Sequence, residues 1–341
     1  MKKILIISVF YMVSQFSYAQ NFETILLAGE DASKLTQNYT EPVVKGLMYN
    51  LNSGWYTTAK THSKFGFDFT INPSASFVPS SAQNFNFNPA DYKYVTLPNG
   101  ETQINTIMSD AEQGTQIRVA IPDEDGKMLI GNFEMPKGIG KDLPMNAVPL
   151  PMVQLGFGLP TRTDLKLRFV PNMKFGTDLK TGLFGIGLQH DLTQYFKINN
   201  QFLSISVLAA YTTATTTYDI ENETGNTSVT VQNGEAEFKI DTWTVQALAS
   251  MDLKFATFYG GLGYNNGNAT MKMKGDYAIT YQKEGQPDIK YVKDPISMSY
   301  EANGMRGTLG ARLNLGFFKI FADYTFQEYN TASAGIAFSF R

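Results

Sequence analysis

MRGTLGARLNLGFFKIFADYTFQEYNTASAGIAFSFR, residues Met305–Arg341, is the stretch whose reading decides the fold. Leu309, Ala311, Leu313, Leu315 and Phe317 alternate with Thr308, Gly310, Arg312 and Asn314. After a tight corner at Phe318–Lys319, Ile320, Ala322, Tyr324 and Phe326 alternate with Phe321, Asp323, Thr325 and Gln327. A turn at Asn330 follows, then Ala332, Ala334, Ile336, Phe338 and Phe340 alternate with Ser333, Gly335, Ala337 and Ser339. Alternation with period two puts one set on each face of a strand. Each run is roughly the 9–11 residues a tilted strand needs to cross a bilayer. One apolar face, one polar face and very short connections describe the wall of a transmembrane β-barrel. Arg312 and Asp323 fall on the polar, inward side.

The N-terminus agrees with that location. Lys2 and Lys3 precede a mostly apolar run from Ile4 to Val13, and Ser17-Tyr18-Ala19 offers small residues at the positions a signal peptidase reads. Residues 1–19 are therefore expected to be a cleaved export signal. With no Cys in the chain, disulfide, thiolate and lipidated-cysteine chemistry are all excluded. No later run reaches the roughly 18 apolar residues of a membrane helix. The formal charge is −3, so no global basic field draws nucleic acid.

Between Asn21 and Met48 the period changes. Ile25, Ala28, Ala32, Leu35 and Tyr39 recur at spacings of three and four, which predicts helix, and Pro42 suits the first turn of a second short helix. Such a stripe has to bury against something, and the barrel is the large partner the chain offers. The segment 20–48 is therefore a plug or a packed anchor, expected at the mouth where the first strand begins. Residues 49–341 form the barrel. Tyr49–Thr58 and Lys64–Asn72 read as the first hairpin, with Trp55 and Tyr56 at the membrane interface. Residues from about 73 to 148 are rich in Asn, Pro, Ser and Asp and read as a long insertion.

Alternation resumes at Pro151. Leu165, Leu167 and Phe169 oppose Asp164, Lys166 and Arg168, which puts Arg168 inside. Thr212–Glu237 reads as a long loop. Trp243, Val245, Ala247, Ala249, Met251 and Leu253 form one face of a strand, with Trp243 as a third interface aromatic. Ala269–Tyr281 and Ile296–Ala302 read as weaker, separate strands. Thirteen candidates, and the even-number rule for bacterial barrels, give 12–14 strands with 14 favoured. The fold class is all-β, an antiparallel transmembrane barrel with short N-terminal helices. On this register Leu313→Arg should cost far more than Thr308→Arg.

The stretch NFETILLAGEDASKLTQNYTEPVVKGLMYNLNSGWYTTAK, then GFDFTINPSASFVP, resembles a family of uncharacterised Gram-negative secreted barrel proteins, a domain of unknown function. Glu30-Asp31-Ala32, Lys34-Leu35, Pro42, Lys45-Gly46, Gly54-Trp55-Tyr56 and Gly66-Phe67-Asp68 carry the likeness. The layout is also similar to the long-chain fatty-acid transporters of the outer membrane, which pair an N-terminal plug with a fourteen-stranded barrel. No transporter motif accompanies that likeness.

Chemistry is sparse. The two histidines, His62 and His190, lie in a turn and at a strand end, and no G-x-S-x-G elbow accompanies them. Both read as rim or turn residues. Asp123-Glu124-Asp125-Gly126 starts like a calcium loop but has Lys127 where the next ligand belongs. Gly260-Gly261-Leu262-Gly263 sits inside an alternating strand and reads as strand bending or as room inside the barrel, not as a phosphate loop. Neither a catalytic site, a metal site nor a cofactor is expected. The inward charges Arg168, Arg312 and Asp323 either brace the lumen or set its selectivity. The expected partner is outer-membrane lipid. The expected function is a passive or gated uptake channel for a small or hydrophobic molecule, set against a non-transporting structural or surface-binding barrel with a filled lumen.

Overall fold

The computed structural model describes residues 28–122, 126, 128–175, 179–196, 202–220, 229–283 and 286–340. The expected signal peptide, Ile25 and the acidic stretch Asp123–Asp125 lie outside them. Among the described residues there is one α-helix, α1 (Glu30–Leu51). Sixteen strands follow: β1 (Phe67–Phe77), β2 (Asn84–Asn86), β3 (Val95–Thr96), β4 (Gln103–Asn105), β5 (Gln116–Pro122), β6 (Met128–Glu134), β7 (Ala147–Leu159), β8 (Thr163–Phe175), β9 (Leu179–Asp191), β10 (Leu203–Ile220), β11 (Val229–Asp252), β12 (Ala256–Lys283), β13 (Gln286–Lys293), β14 (Ile296–Leu315), β15 (Phe318–Phe326) and β16 (Thr331–Phe340).

Ten of them close a ring in the order β1, β7, β8, β9, β10, β11, β12, β14, β15, β16, every pairing antiparallel. The seam joins first to last strand, with Phe67 opposite Phe340. β13 lies outside the ring, paired to the upper end of β12. The barrel therefore has ten strands, not 12–14. Tyr49–Thr58 is no strand: it is the end of α1 and the start of an irregular segment. Ala256–Tyr264 and Ala269–Tyr281 are one strand, as are Ile296–Ala302 and Met305–Leu315. Their pleat is continuous, but outward residues change from apolar to Asn, Thr and Ser partway up, which hides the continuity. The described parts of the expected loop, 212–220 and 229–237, are likewise strand, the first held by the β-branched run of β10.

One end of the ring carries tight turns at Leu159–Thr163, Asp252–Ala256 and Leu315–Phe318. The other end is tall. β11 and β12 run for 24 and 28 residues, and at about 3.3 Å per residue β12 is about 90 Å of chain. The insertion between β1 and β7 folds over this tall end as two small sheets, β2–β4 and β3–β5–β6.

Helix α1 is single and Pro42 lies inside it, not at the start of a second helix. An interior proline costs about 3 kcal/mol, offset here by its burial beside Val43 and Val44. Ala32, Leu35 and Tyr39 form a single stripe; from Pro42 to Leu51 burial spreads around most of the helix. The widening marks the point where the helix leaves the insertion and enters the ring. One core joins α1 (Leu35, Val44), the insertion (Ile117, Phe133) and the tall strands (Phe238, Met298).

Its position corrects an expectation. α1 lies at the tall end, whereas β1 starts at the short-turn end. Residues 52–66 connect the two by running down the inside of the barrel.

Candidate functional site: the threaded lumen

The inward face of the ring is polar, as period-two alternation demands, and the threading segment meets it residue by residue. Asn52 and Ser53 come first, at the C-terminus of α1. A helix end leaves carbonyls without partners, and two arginines on opposite walls take them. Arg168 of β8, 1 % exposed, donates from Nη1 to Leu51 O (2.9 Å), from Nη2 to Ser53 O (2.8 Å) and from Nε to Gln154 Oε1 (3.0 Å). Its guanidinium lies 3.7 Å from the Trp55 ring centroid, a cation–π contact in a dry site. Arg306 of β14 donates from Nη1 to Asn52 O (2.6 Å) and to Asn265 Oδ1 (3.1 Å). Positive charge at a helix C-terminus also complements the macrodipole.

Next along the segment, Trp55 and Tyr56 are 1 % and 4 % exposed. They were expected at the membrane interface and instead fill the lumen; their neighbours in sequence are wall-facing plug residues, not strand residues. Glycines in the wall make room for them. A Cβ on Gly187 would come within 3.0 Å of the Trp55 ring and one on Gly185 within 3.2 Å. Gly261 lies against the Tyr56 hydroxyl, and Gly267 faces Met48 of α1. Gly261 thus supplies the room inside the barrel read from the sequence. Trp243 does face outward, 41 % exposed, beside Tyr264.

The structure places the other two predicted inward charges, Arg312 and Asp323, in the lumen but not together. Arg312 donates to Thr57 Oγ1 (3.1 Å) and Thr257 Oγ1 (3.2 Å), with Asp252 at 3.8 Å. Asp252 also accepts from Thr58 (2.9 Å), which ties the segment to the β11–β12 turn. Asp323 accepts from the Tyr259 hydroxyl at 3.0 Å, and Tyr259 meets Tyr56 edge-on. Thr308 is buried against Arg306 and Thr325. An arginine there would add bulk and like charge in a filled space, so the expected tolerance of Thr308→Arg is withdrawn.

His62, read from the sequence as a solvated turn residue, is 5 % exposed at the short-turn end. Its Nδ1 lies 2.9 Å from Asp164 and its Nε2 3.1 Å from Asp68, while its backbone N–H donates to Asp164 Oδ1. Ser339 Oγ is 3.5 Å from Nε2, so serine, histidine and aspartate stand in series. The arrangement does not suit hydroxyl activation. A general base needs a free lone pair on the nitrogen facing the nucleophile, and here a carboxylate is the closer partner of that nitrogen. The cluster is a latch that holds the segment where it leaves the lumen. Nothing in THSK announces this, because Asp164 comes from a strand remote in sequence and Asp68 meets the imidazole only through the turn into β1. His190 bonds Thr163 (2.8 Å) and Tyr195 (3.0 Å) at the same rim.

The plug candidates on α1 are held at the tall end. Ala28, Ala32, Leu35 and Tyr39 are buried, and the Tyr39 hydroxyl donates to Lys137 O (3.2 Å). Burial pushes the Tyr39 phenol well above its ordinary pKa. Asp31 accepts from the backbone N–H groups of Lys93 (2.9 Å) and Tyr94 (2.6 Å), which fixes the helix start to the insertion. Lys45 pairs with Glu41 (3.1 Å) and Glu328 (3.4 Å). Burial works against its ammonium, but the two carboxylates outweigh this and hold its pKa above the usual lysine value.

A fit this close predicts a cost for filling a glycine. Gly187→Leu should destabilise the folded protein by about 1–3 kcal/mol. In a Trp243→Phe background, Trp55 becomes the sole tryptophan. Its emission should then shift to the red as the ring is displaced toward water. An unshifted spectrum at unchanged stability would mean that the ring has other space to occupy.

Solved structures similar to this chain include three outer-membrane proteins. The attachment invasion locus protein Ail of Yersinia pestis is 12 % identical, with 81 % of this chain and 99 % of that one covered at a TM-score of 0.27. The outer-membrane protease OmpT of Escherichia coli is 9 % identical, with 83 % and 100 % covered at 0.28. The translocator domain of the autotransporter NalP of Neisseria meningitidis is 11 % identical, with 92 % and 98 % covered at 0.27. No curated protein matches the chain. The family of unknown function DUF6588 matches residues 1–340, and this chain belongs to it.

Proposed function

We propose that this protein is an integral outer-membrane barrel whose lumen is closed by its own N-terminal chain, and which acts outward through its tall body instead of conducting solutes. Membrane insertion is supported by the outward face. Phe69, Ile71, Leu155, Phe157, Val245 and Leu309 are exposed large apolar side chains on it. On β11 this band runs from Trp243 to Leu253, and on β14 from Met305 to Leu315, about the 9–11 residues of a bilayer crossing. Aromatic side chains mark both limits: Phe255, Phe317 and Phe340 at the short-turn end, Tyr211 and Trp243 at the other. Short turns face the periplasm in such barrels, so the tall end, with α1 and the insertion, faces out.

The observation that carries the closed-lumen reading is the threading segment, bonded to opposite walls by Arg168 and Arg306. A gated uptake channel is the alternative, and it requires this segment to leave. The two readings separate in one experiment. The Thr58 and Ser250 hydroxyls are 3.1 Å apart, and the chain has no native Cys. Thr58→Cys with Ser250→Cys should form a disulfide that fixes the segment in place. The expected result is no conductance in planar bilayers, either oxidised or reduced. Conductance that appears on reduction and vanishes on oxidation would establish a gated channel in its place.

A further inference from the structure

Above the apolar band the outward face of the tall strands changes character without a break. One row above Trp243 and Asn266 stand Thr213, Asp241, Asn268 and Glu301; the next holds Thr215, Lys239, Thr270 and Ser299, and the one above that Thr217, Glu237, Lys272 and Ser297. The residues alternating with these, Phe238, Ile240, Ala269, Met298 and Tyr300, are buried in the core behind. The pleat thus fixes the polar set outward. Thr215, Asn268 and Ser299 are exposed. Most charges on this face are paired, Lys239 with Asp241 at 3.0 Å, Lys274 with Glu237 at 2.7 Å and Lys180 with Asp219 at 2.8 Å, while Glu301 and Lys272 are exposed outside these pairs.

This face is thus rich in hydroxyls and amides, with most of its charges paired. Each hydroxyl can both donate and accept, and each amide offers both groups. Trp243 and Tyr264, on successive rows with ring centroids 5.9 Å apart, border it below with aromatic surface. Hydroxyl, amide and aromatic surface together match a saccharide. They match neither acyl chains, which want an apolar wall, nor a phosphate cluster, which wants several unpaired cations where the described residues of this face offer Lys272 together with the carboxylate Glu301. The face is continuous with the lipid-facing band on the same strands, so its nearest neighbour is the part of the outer-leaflet lipid that projects beyond the acyl region.

We infer that the outward face of β10, β11, β12 and β14 above Trp243 is a binding surface for the saccharide portion of the outer-leaflet glycolipid. The inference rests on the outer-membrane reading above, and the test separates the two. Single cysteines are placed at Thr215 and Ser299 on the face, at Leu309 in the band and at Glu101 on the insertion. Each variant is reconstituted into three kinds of vesicle: phosphatidylethanolamine–phosphatidylglycerol alone, the same with lipid A, and the same with lipopolysaccharide. Reaction with a charged maleimide is followed. Thr215→Cys and Ser299→Cys should react about tenfold more slowly with lipopolysaccharide than with lipid A, while Glu101→Cys is unchanged. Equal rates on the face in all three vesicles would overturn the inference. If Leu309→Cys also reacts as fast as Glu101→Cys, the membrane reading itself has failed; if it stays protected, only the saccharide face has. Thr213→Val with Thr215→Val keeps shape and strand preference but removes two hydroxyls. Native mass spectrometry should show about tenfold less lipopolysaccharide retained on that variant after detergent exchange, and unchanged retention would count against the surface.

Discussion

Arg168→Leu is expected to destabilise the folded barrel by about 3–5 kcal/mol, because it strands buried acceptors as well as removing a charge. Leu51 O, Ser53 O and Gln154 Oε1 all lose their donor, and the Trp55 ring loses the cation over its face. Lysine should not rescue it, because one ammonium cannot reproduce a planar fork that serves separate acceptors. Arg162→Leu is the control. Its side chain is 62 % exposed with a partner at 3.9 Å, so the change should stay within about 0.5 kcal/mol. Urea unfolding of protein refolded into vesicles reads both. If Arg168→Leu costs as little as the control, the helix end is not held in the way the contacts indicate.

The second large effect lies on the outer surface. Leu309→Arg, midway along the band, should cost roughly 2–4 kcal/mol, the penalty for a cation on the lipid side of a barrel near mid-bilayer; nearer the short-turn limit, Leu313→Arg should cost less. Ser299→Arg lies on the same strand and the same face, above the band, and should be nearly neutral. Leu309→Arg and Ser299→Arg differ only in height, so the contrast tests where the hydrocarbon ends. Equal folding of both variants in a bilayer titration would remove the membrane assignment or move its boundary.

The wall was legible because period-two alternation is a local signal. From Met305 to Phe340 the sequence reading assigns Leu309, Leu313, Ile320, Ile336 and Phe338 to one face, and the strand register places them outward. Strand number was less legible. Counting relied on apolar alternation, and in β12 and β14 the outward face turns polar at Asn266 and Asn303 while the strand continues. The threading segment was not legible at all. Trp55 and Tyr56 carry an interface signature by composition, and only the glycines of β9 and β12 reveal what they fill. Those glycines are distant in sequence, so the fit is a tertiary fact. The same holds for the contact between His62 and Asp164, which lies on a strand far along the chain.

The path of residues 52–66 also imposes an order on biogenesis. α1 rests at one end of the ring and β1 begins at the other, with the connecting chain inside. A ring sealed beforehand would have to admit a formed helix through a passage already crowded by Trp55, Tyr56 and the two arginines. The seam between Phe67–Phe77 and Thr331–Phe340 is the one place where the ring is not covalently continuous from strand to strand. Sealing that seam therefore comes after the leading chain is in place, and the stacked Phe67–Phe340 pair (4.9 Å) closes over cargo already loaded. Placing the N-terminal helix and closing the wall are then a single event, with the pairing of β1 and β16 as its final step.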